Sequence, residues 1–361
     1  MISPYAILFA NVPMFGHVSH AKIAATFSTL EEAWKADRSE LLATGIETKR
    51  IDNFLNWKDK FGVAEHFKTS MDKHHIRLIG IHDEEYPSML LNIFDPPAFL
   101  FAQGAPIVDE KRLAMVGSRK ATTYGLETAH KLAKDIANGG VTIVSGGAYG
   151  IDVACHDGAL TAKGKTIAVL GSGLVGGDSQ RLDGVVTRIL AGGGTVISEF
   201  PLSAPPLKHH FPIRNRIVAG MCQATLVIEA GLPSGSMITA DAATRENREV
   251  CAVPGNISSP KSAGTNFLIK NGAHCVTEAQ DIFMIYGMNV AAGAAAHGTL
   301  PPGRSEAEIA LFATLSAEPL HIDLATERAK LSPIAASIAA TNLEILGVIR
   351  DTGGKYFVIE H

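Results

Sequence analysis

The chain has 361 residues, of which 46% are hydrophobic and 19% are charged, and its formal net charge is −4 at pH 7. This composition predicts a globular protein with a large core and two or three domains. Gly, Pro or charge interrupts every apolar run before about 18 residues, and the N-terminus lacks a basic leader, so we expect a cytoplasmic protein without a membrane helix. The net charge gives no global attraction for a polyanion, so such a partner would need a local basic patch.

The four cysteines are widely separated and have no histidine at ligand spacing. They are Cys155, Cys222, Cys251 and Cys275. This pattern excludes a zinc site and a disulfide framework, and it predicts reduced thiols in the core. We expect no metal site.

Residues 1–80 are predicted to form a small helical domain. Segments such as "HAKIAATFSTLEEAWKA" carry apolar residues at spacings of three and four. From residue 81 to 286 the pattern changes to short strands rich in Val, Ile, Leu and Ala, each followed by a Gly-rich turn and a helix-length segment. It predicts a Rossmann-like, doubly wound α/β domain with a mostly parallel sheet, whose ligands bind at the carboxyl ends of the strands.

Residues 287–304 are rich in Gly and Ala and end near a Pro pair, which predicts a flexible linker. Residues 305–361 contain three helix-length segments and two short strands around a Gly-Gly turn, the outline of a winged helix. The predicted recognition helix, "PIAASIAATNLEILG", has no Lys or Arg. Because duplex readers need cations on that helix, we expect this domain to serve protein contacts or stability instead.

The segment "GSGLVG" at 171–176 matches the GxGxxG pattern of dinucleotide-binding proteins, and Glu199 lies where a ribose-binding acid would be expected. That pattern normally opens the first βα unit, whereas here it follows two others, and "GDSQRLDG" delays the next helix. We therefore favour a simple glycine-rich turn.

Two other turns, "VGSR" at 116–119 and "SGGAYGID" at 145–152, place Gly and Ser at strand ends before a helix. Free backbone N–H groups there would suit a phosphate, and Arg119 would add a forked donor. The alternatives are an Arg119 salt bridge to Asp152 and, for Asp152 itself, a helix N-cap, which we prefer. "PSGSMITA" at 233–240 is a third such turn, equally compatible with capping.

The segment "KHHFPIRNRIVAGM" at 208–221 gathers cations around a Phe-Pro pair. The pair predicts an extended Phe211 and a helix that starts at Pro212. Arg214 and Arg216 would lie about 200° apart on that helix, so only one can face the crevice, and the other would pair with an acid such as Glu199 or Glu229. Phe211 is either a core residue or a platform for an unpaired base.

These segments, together with "ISEFPL" and "GTNFLIKNGA", closely resemble the DNA-processing protein A (DprA/Smf) family in order from about residue 83 to 275. The tail resembles that family's winged helix, and the N-terminal helices resemble its sterile-alpha-motif-like (SAM-like) domain. The resemblance implies DNA contacts at Ser118, Arg119, Gly146, Gly147, Lys208, Phe211 and Asn215. The phosphate-binding turns and the basic cluster add Ser145, Arg214 and Arg216 as candidates.

The resemblance further implies a protein of natural transformation that binds and protects incoming single-stranded DNA, helps load RecA and forms homodimers through the α/β domain. It implies no enzyme activity and no cofactor. The chain departs from the family by lacking a Tyr-Pro pair after the "GSG" turn and by carrying Cys155 where Ala is common. The alternative function is a phosphoribohydrolase-like nucleotide enzyme, but "PSGSMITAD" lacks the catalytic glutamate of "PGGxGTxxE". A pure protein adaptor would leave the basic cluster unexplained.

Overall fold

The structure is a computed structural model. It describes residues 3–61, 63–176, 179–288, 300, 303–315, 319–351 and 353–359, and for residues 179–183 it describes the backbone alone. The chain divides into two compact units, Met1–Met288 and Asn289–His361. Most of the linker predicted over 287–304 lies outside the described residues.

The N-terminal part of the first unit is helical, as predicted. Its helices are α1 (Pro4–Ala10), α2 (His17–Thr26), α3 (Leu30–Lys35), α4 (Arg38–Ala43), α5 (Thr48–Phe61) and α6 (Ala64–Lys73). Asp37 and Glu40 form a reciprocal capping box that fixes the start of α4. The apolar faces meet around Phe9, whose ring centroid lies 5.4 Å from that of Trp34 and 5.7 Å from that of Phe54. These aromatic contacts give the helices a core of their own.

The rest of the first unit is built on one sheet. Its strands are β1 (Ile76–Gly80), β2 (Phe99–Gly104), β3 (Arg112–Val116), β4 (Thr142–Ser145), β5 (Thr166–Val169), β6 (Thr195–Ser198), β7 (Ala224–Val227), β8 (Glu249–Ala252) and β9 (His274–Cys275). The strand order is β1-β2-β6-β5-β4-β3-β7-β8-β9. Strands β3 to β9 are parallel, whereas β1 and β2 pair antiparallel at one edge. The predicted mostly parallel, doubly wound sheet is confirmed.

Helices follow most of the strands. They are α7 (Thr123–Asn138), α8 (Ile151–Thr161), α9 (Ser179–Ala191), α10 (His210–Gly220), α11 (Gly235–Arg245), α12 (Ala263–Lys270) and α13 (Ala279–Ile285), with a 3₁₀ helix at Ser88–Asn92. The chain winds from β3 through β4 to β6 on one side and returns through β7 to β9 on the other. The direction of winding therefore reverses at β3, and such a switch point leaves a crevice beyond the carboxyl ends of the adjacent strands.

The N-terminal helices and the sheet share buried contacts. Ile7 of α1 and Met71 of α6 belong to the same apolar cluster as Phe101 of β2 and Ile189 of α9. This shared cluster lies within the single compact unit Met1–Met288. A domain boundary at residue 80 stays a prediction from sequence.

The second unit has the winged-helix architecture that the sequence predicted. It contains α14 (Glu306–Phe312), α15 (Ile322–Ala329), α16 (Pro333–Ile345), β10 (Leu320–His321), β11 (Ile349–Asp351) and β12 (Tyr356–Ile359). The three strands form an antiparallel sheet in the order β10-β12-β11. Ser332 caps α16, and Pro333 occupies its first turn. Among the helices that the structure describes, none is both long and apolar enough to cross a membrane.

Candidate nucleic-acid interface

A cleft of about 820 Å³ opens beside the switch point at β3. Its walls come from the turns after β3 and β4, the first turns of α10 and α11, and the loop before α12. The candidates that line it are Ser118, Arg119, Gly146, Lys208, Phe211, Arg214 and Asn215. The remaining candidates, Ser145, Gly147 and Arg216, are not among its lining residues. The fold thus brings together side chains from three separate segments at the predicted edge of the sheet.

Two guanidinium groups lie near the ring of Phe211. The guanidinium carbon of Arg119 is 4.9 Å from the centroid of the Phe211 ring, and that of Arg214 is 6.0 Å away. Both distances are in the range of cation–π attraction. Arg119 therefore packs on this ring rather than forming the alternative salt bridge to Asp152. Phe211 lines the cleft, and the exposed side chain of Arg119 lies over its ring.

Arg214 is a buried part of the cleft floor. Its side chain donates from Nη1 to the carbonyl oxygens of Gly146 and Val169, and Nε lies 3.2 Å from Oδ1 of Asn215. Burial lowers the pKa of Arg214 to about 10, so the guanidinium is still charged near neutral pH. These bonds tie α10 to the ends of β4 and β5. Arg214 lines the cleft from this buried position, and its predicted contact with a phosphate stays a prediction.

Arg216 faces away from the cleft. Its Nη2 forms an ion pair with Oε2 of Glu199, and its Nε lies 3.3 Å from Oδ2 of Asp95. Burial raises the pKa of Glu199 to about 7 although Arg216 favours its charged form. The prediction that helix geometry separates the two arginines, and that one pairs with an acid, is confirmed. Arg216 is not among the residues that line the cleft, because the rotation of the helix places it on the opposite side, and its predicted role in DNA binding stays a prediction.

The start of α10 differs from the prediction. The helix begins at His210, so Phe211 is helical rather than extended and Pro212 is the third residue. A proline is tolerated there because the first backbone N–H groups of a helix have no intrahelical partner. The early start is held by His210, whose ring stacks on Phe200 at a centroid distance of 4.0 Å and whose Nδ1 lies 3.2 Å from the carbonyl oxygen of Gly171.

The glycine-rich turn after β4 already holds a carboxylate of the same chain. Asp152 is buried in the first turn of α8, where its carboxylate accepts hydrogen bonds from the backbone N–H groups of Ala148, at 3.2 Å, and Gly146. Burial is the main cause that raises the pKa of Asp152. The N-cap position belongs to Gly150, which corrects the preferred assignment of Asp152. The backbone N–H groups of Gly146 and Ala148 are thus occupied by a carboxylate of the same chain.

The other small candidates also have structural partners. The backbone N–H of Ser118 donates to the carbonyl oxygen of Glu229 at 2.8 Å. The buried Ser145 donates from Oγ to the carbonyl oxygen of Met115 at 2.6 Å, which joins β4 to β3. Gly147 has a φ of +71°, a left-handed conformation that favours glycine. These residues shape the turns that carry the cleft.

Lys261 and Lys120 are cleft residues that sequence reasoning missed. Lys261 donates from Nζ to the carbonyl oxygen of Lys120 at 2.7 Å and lies 3.3 Å from Oγ of Ser118. Lys261 follows β8, so its loop lies at the same edge of the sheet as the other turns, and this position could have predicted that Lys261 belongs to the cleft. The four cations that line the cleft besides the floor residue are Arg119, Lys120, Lys208 and Lys261. They make the cleft locally basic in an acidic chain.

Comparison with known proteins gives the same assignment. A family described as DNA recombination-mediator protein A matches residues 77–287, and the DprA winged helix domain matches residues 295–355. Protein Smf of Escherichia coli is 35% identical over 334 residues, which cover 90% of this chain and 89% of that protein. The chain belongs to the DprA/Smf family.

Further relatives agree. DNA processing protein DprA of Bacillus subtilis is 39% identical over 265 residues, which cover 71% of this chain and 89% of that protein. The solved structure of DprA from Streptococcus pneumoniae has a TM-score of 0.65 and 31% identity, covering 78% of this chain and 98% of that one. DprA from Helicobacter pylori, whose structure was described for its single-stranded DNA binding mode, has a TM-score of 0.51 and 27% identity, covering 59% and 97%.

Proposed function

We propose that this chain binds single-stranded DNA in the cleft. The observation that carries the proposal is the position of Phe211 among four cleft cations, namely Arg119, Lys120, Lys208 and Lys261. Single strands are held by cations along the backbone and by aromatic rings under the bases, with little dependence on sequence. The single-stranded DNA binding mode described for the Helicobacter pylori relative supports the same class of ligand.

Binding requires one local change. A base that stacks on Phe211 meets the guanidinium of Arg119, whose carbon is 4.9 Å from the ring centroid. Arg119 is exposed, so it can leave the ring and pair with a phosphate, for which its forked donors are suited. Arg214 stays in place beneath the ring because carbonyl oxygens hold it. The cleft thus combines a fixed floor with a movable cationic cover.

We propose the cellular role from family membership. The chain would protect incoming single strands during natural transformation, help load RecA onto them, act in the cytoplasm and form a homodimer through the α/β domain. We propose that it is not an enzyme. In support, Asp152 is the acid that lines the described cleft, and backbone N–H groups already hold it. A carboxylate whose oxygens already accept backbone hydrogen bonds is poorly placed to act as a general acid or base.

We propose that the winged helix serves protein contacts rather than DNA. The exposed side of α16 presents Ile334, Ile338 and Ile345, which are 74%, 58% and 78% exposed. An apolar helix surface suits a protein partner, whereas reading duplex DNA needs cations and polar side chains. Tight, salt-sensitive binding of duplex DNA by this unit would contradict the assignment.

The test is a titration of labelled oligo-dT at two salt concentrations, with wild type and with Arg119→Ala. The proposal predicts strong binding at low salt that weakens as salt increases, and weaker binding by the variant. Weak binding that neither salt nor the substitution changes would contradict it.

A further inference from the structure

A second cavity, of about 910 Å³, lies between the N-terminal helices and the sheet. We call it the aromatic cavity, because its walls include Phe15, Trp57, Phe61, Phe67, Phe99 and Phe200. Its volume is in the range of small-molecule sites, which are largely apolar with a few polar groups. Phe61 is 50% exposed and Met14 is 71% exposed, so large apolar side chains line an open mouth. The cleft does not account for this second site.

Unpaired polar atoms lie at the base of the aromatic cavity. Oε1 of Glu199 and Nη1 of Arg216 are buried without a hydrogen-bond partner, although the same two side chains form an ion pair through their other atoms. Both residues line the cavity. Such orphaned groups are rare in folded proteins and call for an explanation. Glu199 thus offers a free acceptor and Arg216 a free donor, and the edge of a nucleobase carries groups of both kinds.

Helix α10 forms the wall between the cleft and the aromatic cavity. Lys208, Phe211 and Asn215 line the cleft, whereas His210 and Arg216 line the cavity. The helical rotation distributes consecutive residues of one basic segment between the two sites, and a helix with its side chains is about 10 Å thick. A strand that passes over the start of this helix would therefore reach both openings. The stacked rings of Phe200 and His210 lie on the cavity side of that path.

We propose that the aromatic cavity receives one nucleobase of the single strand whose neighbouring nucleotides lie in the cleft. This inference rests on the proposed function. The base would be splayed out, packed among the aromatic side chains, and hydrogen-bonded through its edge to Glu199 and Arg216, as in other proteins that hold an unstacked base. The occupant is thus a base of the bound DNA, and a free metabolite is the outcome that would overturn the proposal.

Photo-cross-linking of the full chain tests the proposal. A set of oligo-dT 20-mers carries a single 5-iodouracil at successive positions, and cross-linked peptides are identified by mass spectrometry. We expect some positions to label Phe211 and another to label Trp57 or Phe61, because α5 lines the aromatic cavity and not the cleft. Labels confined to the cleft would overturn the cavity proposal and leave the proposed function intact. Oligonucleotides that do not bind at all would overturn both.

A matched pair of variants gives a second readout. Phe61→Ala removes a half-exposed aromatic side chain of the cavity, and Phe267→Ala removes one of similar exposure, 48%, outside both sites. Loss of a stacking partner is expected to weaken 20-mer binding about fivefold or more in Phe61→Ala, without changing the salt dependence. Phe267→Ala should bind like wild type. Equal affinities of the two variants would overturn the proposal, as would tight binding of free thymidine that the 20-mer does not displace.

Discussion

Lys208→Ala is the substitution that tests the electrostatic part of the proposed DNA binding without removing an aromatic or a buried side chain. Lys208 lines the cleft and is exposed, so its removal leaves no buried partner uncompensated. Its charge also lies just before the start of α10, where a cation opposes the helix dipole unless an anion is near. The substitution should therefore leave the fold intact and change DNA binding alone.

The magnitude follows from counterion release. Each neutralised phosphate of a single strand contributes about 0.7 to the slope of log affinity against log salt. Four cleft cations, Arg119, Lys120, Lys208 and Lys261, give a slope of about −3 for wild type. Removing Lys208 should reduce the slope by about 0.7, and at 0.1 M salt it should weaken binding about fivefold. The fold-change should shrink as salt increases, because each released counterion gains less entropy when the bulk salt concentration is higher.

The assay is fluorescence anisotropy of labelled oligo-dT at several salt concentrations between about 50 and 200 mM. Lys131→Ala is the control, because Lys131 is an exposed lysine of α7 outside the cleft. It should keep the wild-type slope. The reasoning would be refuted if Lys208→Ala kept the slope of wild type, or if both variants lost the same amount.

Three other predictions concern the Phe211 ring, the packing of Gly146 against Arg214, and the buried His156. Phe211→Leu should remove the stacking of one base and weaken DNA binding by about 1–3 kcal/mol. The slope of log affinity against log salt should stay unchanged, and a changed slope would argue against a stacking role. Gly146→Ala should destabilise the fold by about 1–3 kcal/mol, because the new Cβ would lie 2.6 Å from Nη2 of the pinned Arg214, and urea unfolding that matches wild type would contradict this. Burial lowers the pKa of His156 from 6.5 to about 3, so the unfolded chain binds a proton near pH 6.5 that the folded chain refuses. The free energy of unfolding should therefore fall by about 2 kcal/mol between pH 7 and pH 5 because of His156 alone. His156→Gln should remove that part of the pH dependence of unfolding. A pH dependence identical to that of wild type would contradict the prediction.

The sequence was sufficient for the fold class because strand patterns and Gly-rich turns are local signals. Strands such as β3 and β5 are mostly apolar and buried throughout, and this is the pattern that made a parallel sheet predictable. The separation of Arg214 from Arg216 was predictable for the same reason, since it depends on the angle per residue of one helix. The start of α10 was not, because His210 is held there by Phe200, a contact from another segment.

The composition of the cleft was only partly predictable. Lys261 lies 143 residues from Ser118 in sequence, and a single lysine in a Ser- and Pro-containing loop carries no pattern of its own. The turn after β4 looked like a phosphate nest, but its backbone N–H groups are occupied by Asp152, a partner that spacing alone does not reveal. The aromatic cavity depends on helices and strands that meet only in the folded chain, so no local signal marks it.

Lysine footprinting tests most directly whether single-stranded DNA lies in the cleft. The full chain is acetylated briefly with and without saturating oligo-dT, and the modification rate of each lysine is measured by mass spectrometry. If the strand lies in the cleft, oligo-dT slows the modification of Lys120, Lys208 and Lys261, while exposed Lys131 reacts at an unchanged rate. Unchanged rates at the three cleft lysines, with protection only at Lys330 of the winged helix, would contradict the central claim.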